Sequence, residues 1–473
     1  MRLGSGTPSW ATPRAGRRRL PTLALSAALA GLSFGGCLPV GQATAASVDT
    51  STPRPTATIE ATAAPAPYVS PRAAAEVVAP PRIIGYFSSW GIYARNYHVK
   101  TIVTSGSAEK LEVINYAFAG PFDNRCILAD PQADTRRIYG AADGVDGQGN
   151  GPDRIRGHYG QLLRLKSMYP DLKVLISIGG WTLSADFSDA ALAENREAFV
   201  ASCIDMFIRG NLPNLEPGAA AGLFDGIDID WEYPAAPGRR GNVYRPEDTR
   251  NFTELLAEFR RQLDSIDPEL LLTIAAPAGE DRFSLMELDQ IHPYLDWINV
   301  MAYDYHGAWE PHGPTDFHAP LFGPSEPLGS VEARGDLNVD ATVRAYLAAG
   351  VPAHKLNLGI PFYGRGWTGV TDANHGLYQG AAEPALGLYE AGVNDYGVLR
   401  RLDATEFHDP ATGGSWIFDG TTFWAMDDPV AIGRKTEYVR RIDLGGVMFW
   451  ELAGATRDGE LITAIFEGLH GSE

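Results

Sequence analysis

Phe224-Asp225-Gly226-Ile227-Asp228-Ile229-Asp230-Trp231-Glu232-Tyr233-Pro234 is the stretch on which the reading of this 473-residue chain turns. Side chains alternate faces along a strand, so Asp228, Asp230 and Glu232 share one face and Ile227, Ile229 and Trp231 the other. Neighbouring acids then sit roughly 6–7 Å apart at the backbone. A merely solvated face does not suit the continuous apolar context. A buried strand does, with its apolar face on helices and its acids turned inward. Three carboxyls packed this way cannot all ionise cheaply, and at least one is pushed to hold its proton at neutral pH. An acid catalyst needs such a proton. Glu232 is nearest the strand's C-terminal end and is the candidate donor, with Asp230 and Asp228 behind it. A calcium loop would also alternate acids, but it needs a Gly at its sixth position and a more distant Glu, and neither fits. No metal and no cofactor are expected.

Working outward, similar apolar runs recur at Ile83–Trp90, Glu112–Phe118, Leu172–Ile178, Gly222–Asp230, Leu270–Ala276, Asp296–Tyr303, Lys355–Pro361 and Gly445–Trp450. Near-continuous apolar runs suit parallel strands covered on both faces. Between them lie segments such as Thr249–Ile266, whose apolar residues recur every three or four positions, as in an amphipathic helix. Eight strands alternating with helices predict an α/β fold, a (β/α)8 TIM barrel; a doubly wound open sheet fits the same pattern. About eighty residues separate the seventh run from the eighth, far more than a crossover helix needs. The excess, about 366–423, is read as a small α+β insertion on the upper rim, deepening a cleft.

The N-terminus reads as an export signal over residues 1–45. Arg14, Arg17, Arg18 and Arg19 precede the apolar run Leu20–Phe34, which is too short to span a membrane. Cleavage after Ala45, lipidation at Cys37 and twin-arginine export all remain open, and each places the protein outside the cytoplasm, secreted or anchored at the cell surface. Residues 46–81, rich in Ala, Pro and Thr, read as a linker; the catalytic barrel is expected over 82–470. Cys126 and Cys203 have the means to form a disulfide, which spacing does not establish. Up to Arg82 the chain carries a net +5, so the body carries −24 within a total of −19. That argues against nucleic acid or an anionic membrane as a partner. Membrane contact is expected only through a lipid at Cys37, and a monomer is the expected state. The 19 Tyr, 19 Phe and 10 Trp offer flat apolar platforms of the kind that sugar rings stack on.

Asp225–Glu232, DGIDIDWE, resembles the DxxDxDxE signature of family 18 glycoside hydrolases, the chitinase family. The resemblance runs from Arg82 to Leu469. It takes in Ile84-Gly85-Tyr86, Ser177-Ile178-Gly179-Gly180-Trp181, Met301-Ala302-Tyr303-Asp304-Tyr305, Gly359–Arg365 on the seventh strand and Gly446–Glu451 on the eighth. It implies hydrolysis of β-1,4-N-acetylglucosamine linkages in chitin or chitooligosaccharides by a substrate-assisted, retaining mechanism. Glu232 is then the acid/base, Asp230 turns between Asp228 and the substrate's acetamido N–H, Tyr303 donates to the acetamido oxygen and Asp304 binds the distorted sugar. Tyr86, Trp181, Tyr233, Met301, Tyr363, Arg365 and Trp450 are implied substrate-binding residues, Trp450 as the floor and Trp181 on the leaving side. Ser177 supports Asp228 or fills space, Gly179 and Gly180 allow close backbone packing, and Arg239 and Arg240, on a loop beside the site, either touch the leaving-side sugars or are solvated loop charges. A glycan-processing endo-β-N-acetylglucosaminidase, a peptidoglycan hydrolase and a non-catalytic chitin-binding lectin are the rivals. The intact acid triplet counts against the lectin and the large insertion against the other two.

Overall fold

Each of the eight apolar runs forms a strand in the computed structural model, which describes residues 80–149, 154–324 and 336–471. The barrel strands are, in order, Arg82–Ser88, Val113–Phe122, Lys173–Gly179, Gly226–Asp230, Leu271–Pro277, Trp297–Met301, Leu356–Pro361 and Gly446–Trp450. Each pairs in parallel with its neighbours in the chain, and the first pairs with both the second and the eighth. This closed ring makes the fold a (β/α)8 barrel and removes the open-sheet alternative. The segments read as an export signal with Cys37 and as a linker lie outside the described residues, apart from Pro80 and Pro81. No helix among the described residues is long and apolar enough to cross a membrane.

The period of two sorts the strand residues between layers. Ile83 and Phe87 pack outward with Ile227, Ile229 and helix residues, whereas Ile84, Tyr86, Leu175, Trp297 and Met448 fill the interior. The expected amphipathic helix runs over Asp248–Asp264 and buries Phe252, Leu255, Leu256, Phe259 and Leu263 on one stripe. Its one buried guanidinium, Arg260, is paired with Asp264 and lies 3.4 Å from Asp296.

Between the seventh and eighth barrel strands lies a second, antiparallel sheet. Its order is Glu383–Pro384, Tyr363–Thr368, Thr422–Met426, Ser415–Phe418 and Thr405–His408, with Val393–Asp395 also pairing with Tyr363–Thr368. The sheet thus takes in residues on either side of the 366–423 segment. Tyr363 and Arg365, read from sequence as part of the seventh barrel strand, lie on this second sheet. The chain leaves the barrel at Pro361, and only Phe362 separates the two strands. Phe317, Trp367, Trp416, Phe418 and Phe423 form the insertion's own apolar core.

Beyond the second barrel strand the chain turns back as Arg125–Leu128, and Cys126 there is disulfide-bonded to Cys203 at the end of helix Ala193–Cys203, 77 residues on. Closing so long a loop restricts the unfolded chain. Replacing both cysteines by Ser is expected to lower the unfolding free energy by about 2–4 kcal/mol. Urea denaturation of the oxidised wild type against the double variant measures this; coincident midpoints would refute it.

Candidate active site

The acids of the fourth barrel strand point into the barrel, as the alternation requires. Asp228 is fully buried, and four donors converge on it. Tyr86 Oη and Ser177 Oγ each donate to its Oδ2 at 2.7 Å; Thr273 Oγ1 at 2.6 Å and Asn299 Nδ2 at 3.4 Å donate to its Oδ1. These come from the first, third, fifth and sixth barrel strands. Burial raises the Asp228 pKa, and the four hydrogen bonds pull against that rise.

Asp230 is buried two residues on, and its Oδ1 has no hydrogen-bond partner among the described residues. Burial first, then the charges of Glu232 and Asp228, push its pKa well above the carboxylate range. Glu232 follows the end of the strand and is partly open to the cleft. Burial raises its pKa to about 7, with the Tyr233 hydroxyl drawing it down and the Asp304 charge drawing it up. Asp230 and Glu232 therefore form a coupled pair that retains protons near neutrality.

Asp304 behaves oppositely. It follows the sixth strand in the left-handed backbone region, at φ 62°. Tyr363 Oη donates to its Oδ1 at 2.7 Å, and Arg365 grips both oxygens through Nε at 2.8 Å and Nη2 at 2.7 Å. Burial alone would raise its pKa, but Arg365 and then His318 hold the carboxyl well below the usual range. Tyr303 is a protonated donor among these acids: burial, then Asp230, Asp304 and Glu232, push its phenol pKa far up.

Aromatic rings line the same end of the barrel. The Trp450 ring lies 5.4 Å from Tyr86, 5.7 Å from a nearly parallel Phe118 and 6.1 Å from Trp90. Met301 packs among the interior residues beside Tyr303 and Trp450. Tyr233 is half-buried, with the Arg282 guanidinium 5.6 Å from its ring centre. Trp181 stands half-exposed on the loop after the third strand, and its ring stacks with none of the others among the described residues. Arg239 and Arg240 are exposed on the loop that follows Glu232. Gly179 and Gly180 do provide close approach. A Cβ on Gly179 would lie 2.0 Å from the Asp230 carbonyl, and one on Gly180 2.5 Å from the Phe118 ring.

The structure thus brings Asp228, Asp230, Glu232, Tyr303, Asp304, Tyr86, Tyr363, Arg365 and Trp450 into one constellation. Sequence reasoning missed several neighbours. Thr273 and Asn299 are polar residues interrupting apolar strand runs, a signal that was available. Trp90 and Phe118 end their runs as Trp450 does, so the same rule would have found them. His318, Ser184 and Asn242 lie in loops and gave no signal.

The folded-state pKa of Glu232, about 7, lies above its ordinary 4.5. The stability linked to this group is therefore fully present below pH 4.5 and is lost as pH rises through 7. Glu232→Gln removes that loss. The variant should exceed wild type in unfolding free energy by about 2 kcal/mol at pH 8, once the group's partial exposure is discounted, with the gain shrinking toward pH 4. Denaturation at both pH values tests it; a gain that is the same at both would contradict the buried-acid assignment.

Comparison with known proteins gives a consistent result. The family model for glycosyl hydrolases family 18 matches residues 82–455. Chitinase 63 of Streptomyces plicatus is 39% identical over 390 residues, covering 82% of this chain and 60% of that protein. Chitinase C of Streptomyces lividans is 39% identical over 385 residues, covering 80% of this chain and 58% of that one. The chain therefore spans about 60% of the length of these curated relatives. Among solved structures, the catalytic domain of psychrophilic chitinase B from Arthrobacter TAD20 superposes with a TM-score of 0.78 at 37% identity, covering 84% of this chain and 96% of that chain.

Proposed function

The chain belongs to the glycosyl hydrolases of family 18, and from that premise we propose that it is a chitinase cutting β-1,4 bonds between N-acetylglucosamine units with Glu232 as acid/base. The observation that carries the mechanism is the state of the carboxyls around Glu232. Most retaining glycosidases use a second carboxylate as nucleophile. Here Asp228 is bound by four donors, Asp304 is held by Arg365 and Tyr363, and Asp230 is pushed toward its protonated form. None of them is a free anion facing the cleft. This supports a nucleophile supplied by the substrate, the acetamido oxygen of the sugar at the cleavage site.

In that reading Glu232 protonates the leaving oxygen and then, as the carboxylate, activates water from the same side. Asp230, with its unpartnered Oδ1, accepts a hydrogen bond from the acetamido N–H, which orients the group and draws off part of the positive charge of the cyclised intermediate. Tyr303 donates to the acetamido oxygen and holds it at the anomeric carbon. Asp304, kept ionised by Arg365, binds the distorted ring. Trp450 is the floor of the site, Trp181 stacks the leaving-side sugar, and Tyr86, Tyr233, Met301, Tyr363 and Arg365 line the pocket. The insertion's sheet forms one wall. Residues 82–470 act as the catalytic domain behind an exported, cleaved or lipid-modified N-terminus, which places the enzyme outside the cytoplasm.

Glu232→Gln should lower kcat on the N-acetylglucosamine hexamer by about 10²–10⁴-fold and leave binding of the hexamer largely intact. Early-time NMR with the wild type should show shorter products born as the β-anomer. Near-normal turnover by the variant, or products born as the α-anomer, overturns the assignment. Fully deacetylated chitosan lacks the acetamide and should not be cut; efficient cleavage would instead require a nucleophile from the enzyme.

A further inference from the structure

Glu232 lies beyond the last residue of its strand, so the barrel ladder does not hold its peptide group. A buried backbone N–H or C=O must find another partner. Both do, and both partners are side chains from loops. The Glu232 N–H donates to Ser184 Oγ at 3.0 Å, and Asn242 Nδ2 donates to the Glu232 carbonyl at 3.0 Å.

Ser184 is fully buried and sits three residues after Trp181 on the loop that leaves the third strand. Its hydroxyl has one proton and two lone pairs. While accepting from Glu232 it donates to the carbonyl of Gly180 at 2.9 Å, with the Asp230 carbonyl 3.2 Å away. The Gly180 N–H in turn donates to the Asp230 carbonyl at 2.7 Å. One hydroxyl therefore ties the ends of the third and fourth strands together at the point where Trp181 and Glu232 emerge. On the other side, the loop after Pro234 folds back over Glu232. Gly238 lies so close that a Cβ there would be 2.0 Å from the Glu232 carbonyl oxygen, and Asn242 follows four residues later.

We propose that Ser184 and Asn242 are positioning residues for the acid, a two-sided clamp on the Glu232 peptide that fixes where its carboxyl stands relative to the Trp181 platform. The clamp rests on the reading of Glu232 as acid/base. It explains how a residue outside the sheet keeps one position in a site where an error of about 1 Å costs on the order of 100-fold in rate. It also keeps the carboxyl in its poorly hydrated setting. Loosening the peptide lets the carboxyl reach water, and its proton is then lost at lower pH.

The test is the pH dependence of kcat and KM on the N-acetylglucosamine hexamer for wild type, Ser184→Ala, Asn242→Ala and Glu232→Gln. The clamp predicts that Ser184→Ala lowers kcat by about 10–100-fold with KM changed less than about threefold, since the sugar platforms stay in place. It also predicts that the alkaline limb of the kcat profile moves to lower pH in Ser184→Ala, and in the same direction by less in Asn242→Ala. A variant that loses thermal stability while keeping the wild-type limb refutes the clamp. If Ser184→Ala does not fold, Asn242→Ala alone decides, because its loop is partly exposed. Glu232→Gln separates the two ideas. Activity surviving in it removes the acid reading altogether, whereas its inactivation beside unmoved limbs in the other two variants removes only the clamp.

Discussion

A carboxylate on the axis of a closed barrel has no water to satisfy it, and the rest of this molecule is arranged around that constraint. Burial pushes the Asp228 pKa up, and Tyr86, Ser177, Thr273 and Asn299, supplied by four other strands of the ring, pull against that rise. Removing the donors would leave a buried, unsatisfied ion, which is far costlier than a missing contact. The inward polar residues of strands that are otherwise apolar thus have a common cause. With Asp228 held, Asp230 and Glu232 are stacked above it on the same face and cannot shed their protons freely.

The two ends of this arrangement are electrostatically opposed. At the end of the fourth strand burial pushes the pKa values of Asp230 and Glu232 up, with the Glu232 and Asp228 charges adding to the rise at Asp230, whereas Arg365 holds Asp304 well below the usual carboxylate range. Groups pushed up and a group held down are thereby separated within one site by environment alone. The insertion is central to this division. Tyr363 and Arg365 stand on its first strand and reach back to Asp304, so the second sheet supplies groups that hold that carboxyl.

Much of this was legible from the residues. The strand runs matched to within a few positions, because a barrel strand is covered on both faces and must be apolar almost throughout. The inward direction of the acids followed from the period of two. Loops obey no such periodicity, and the roles of Ser184, Asn242 and His318 were therefore invisible. The extent of the insertion was blurred for a related reason. Tyr363–Thr368 continues the seventh strand after a single residue, and sequence offers no sign that the chain has changed sheets.

The sequence by itself determined the eight strands and the inward face on which Asp228 and Asp230 lie, since each follows from alternation and hydrophobic burial within a few consecutive residues. Only the tertiary structure decided which groups meet them. Tyr86 reaches Asp228 across 142 residues of chain, and Cys126 pairs with Cys203 across 77. Such meetings depend on how the ring closes and where each loop returns, and short-range pattern carries no information about either.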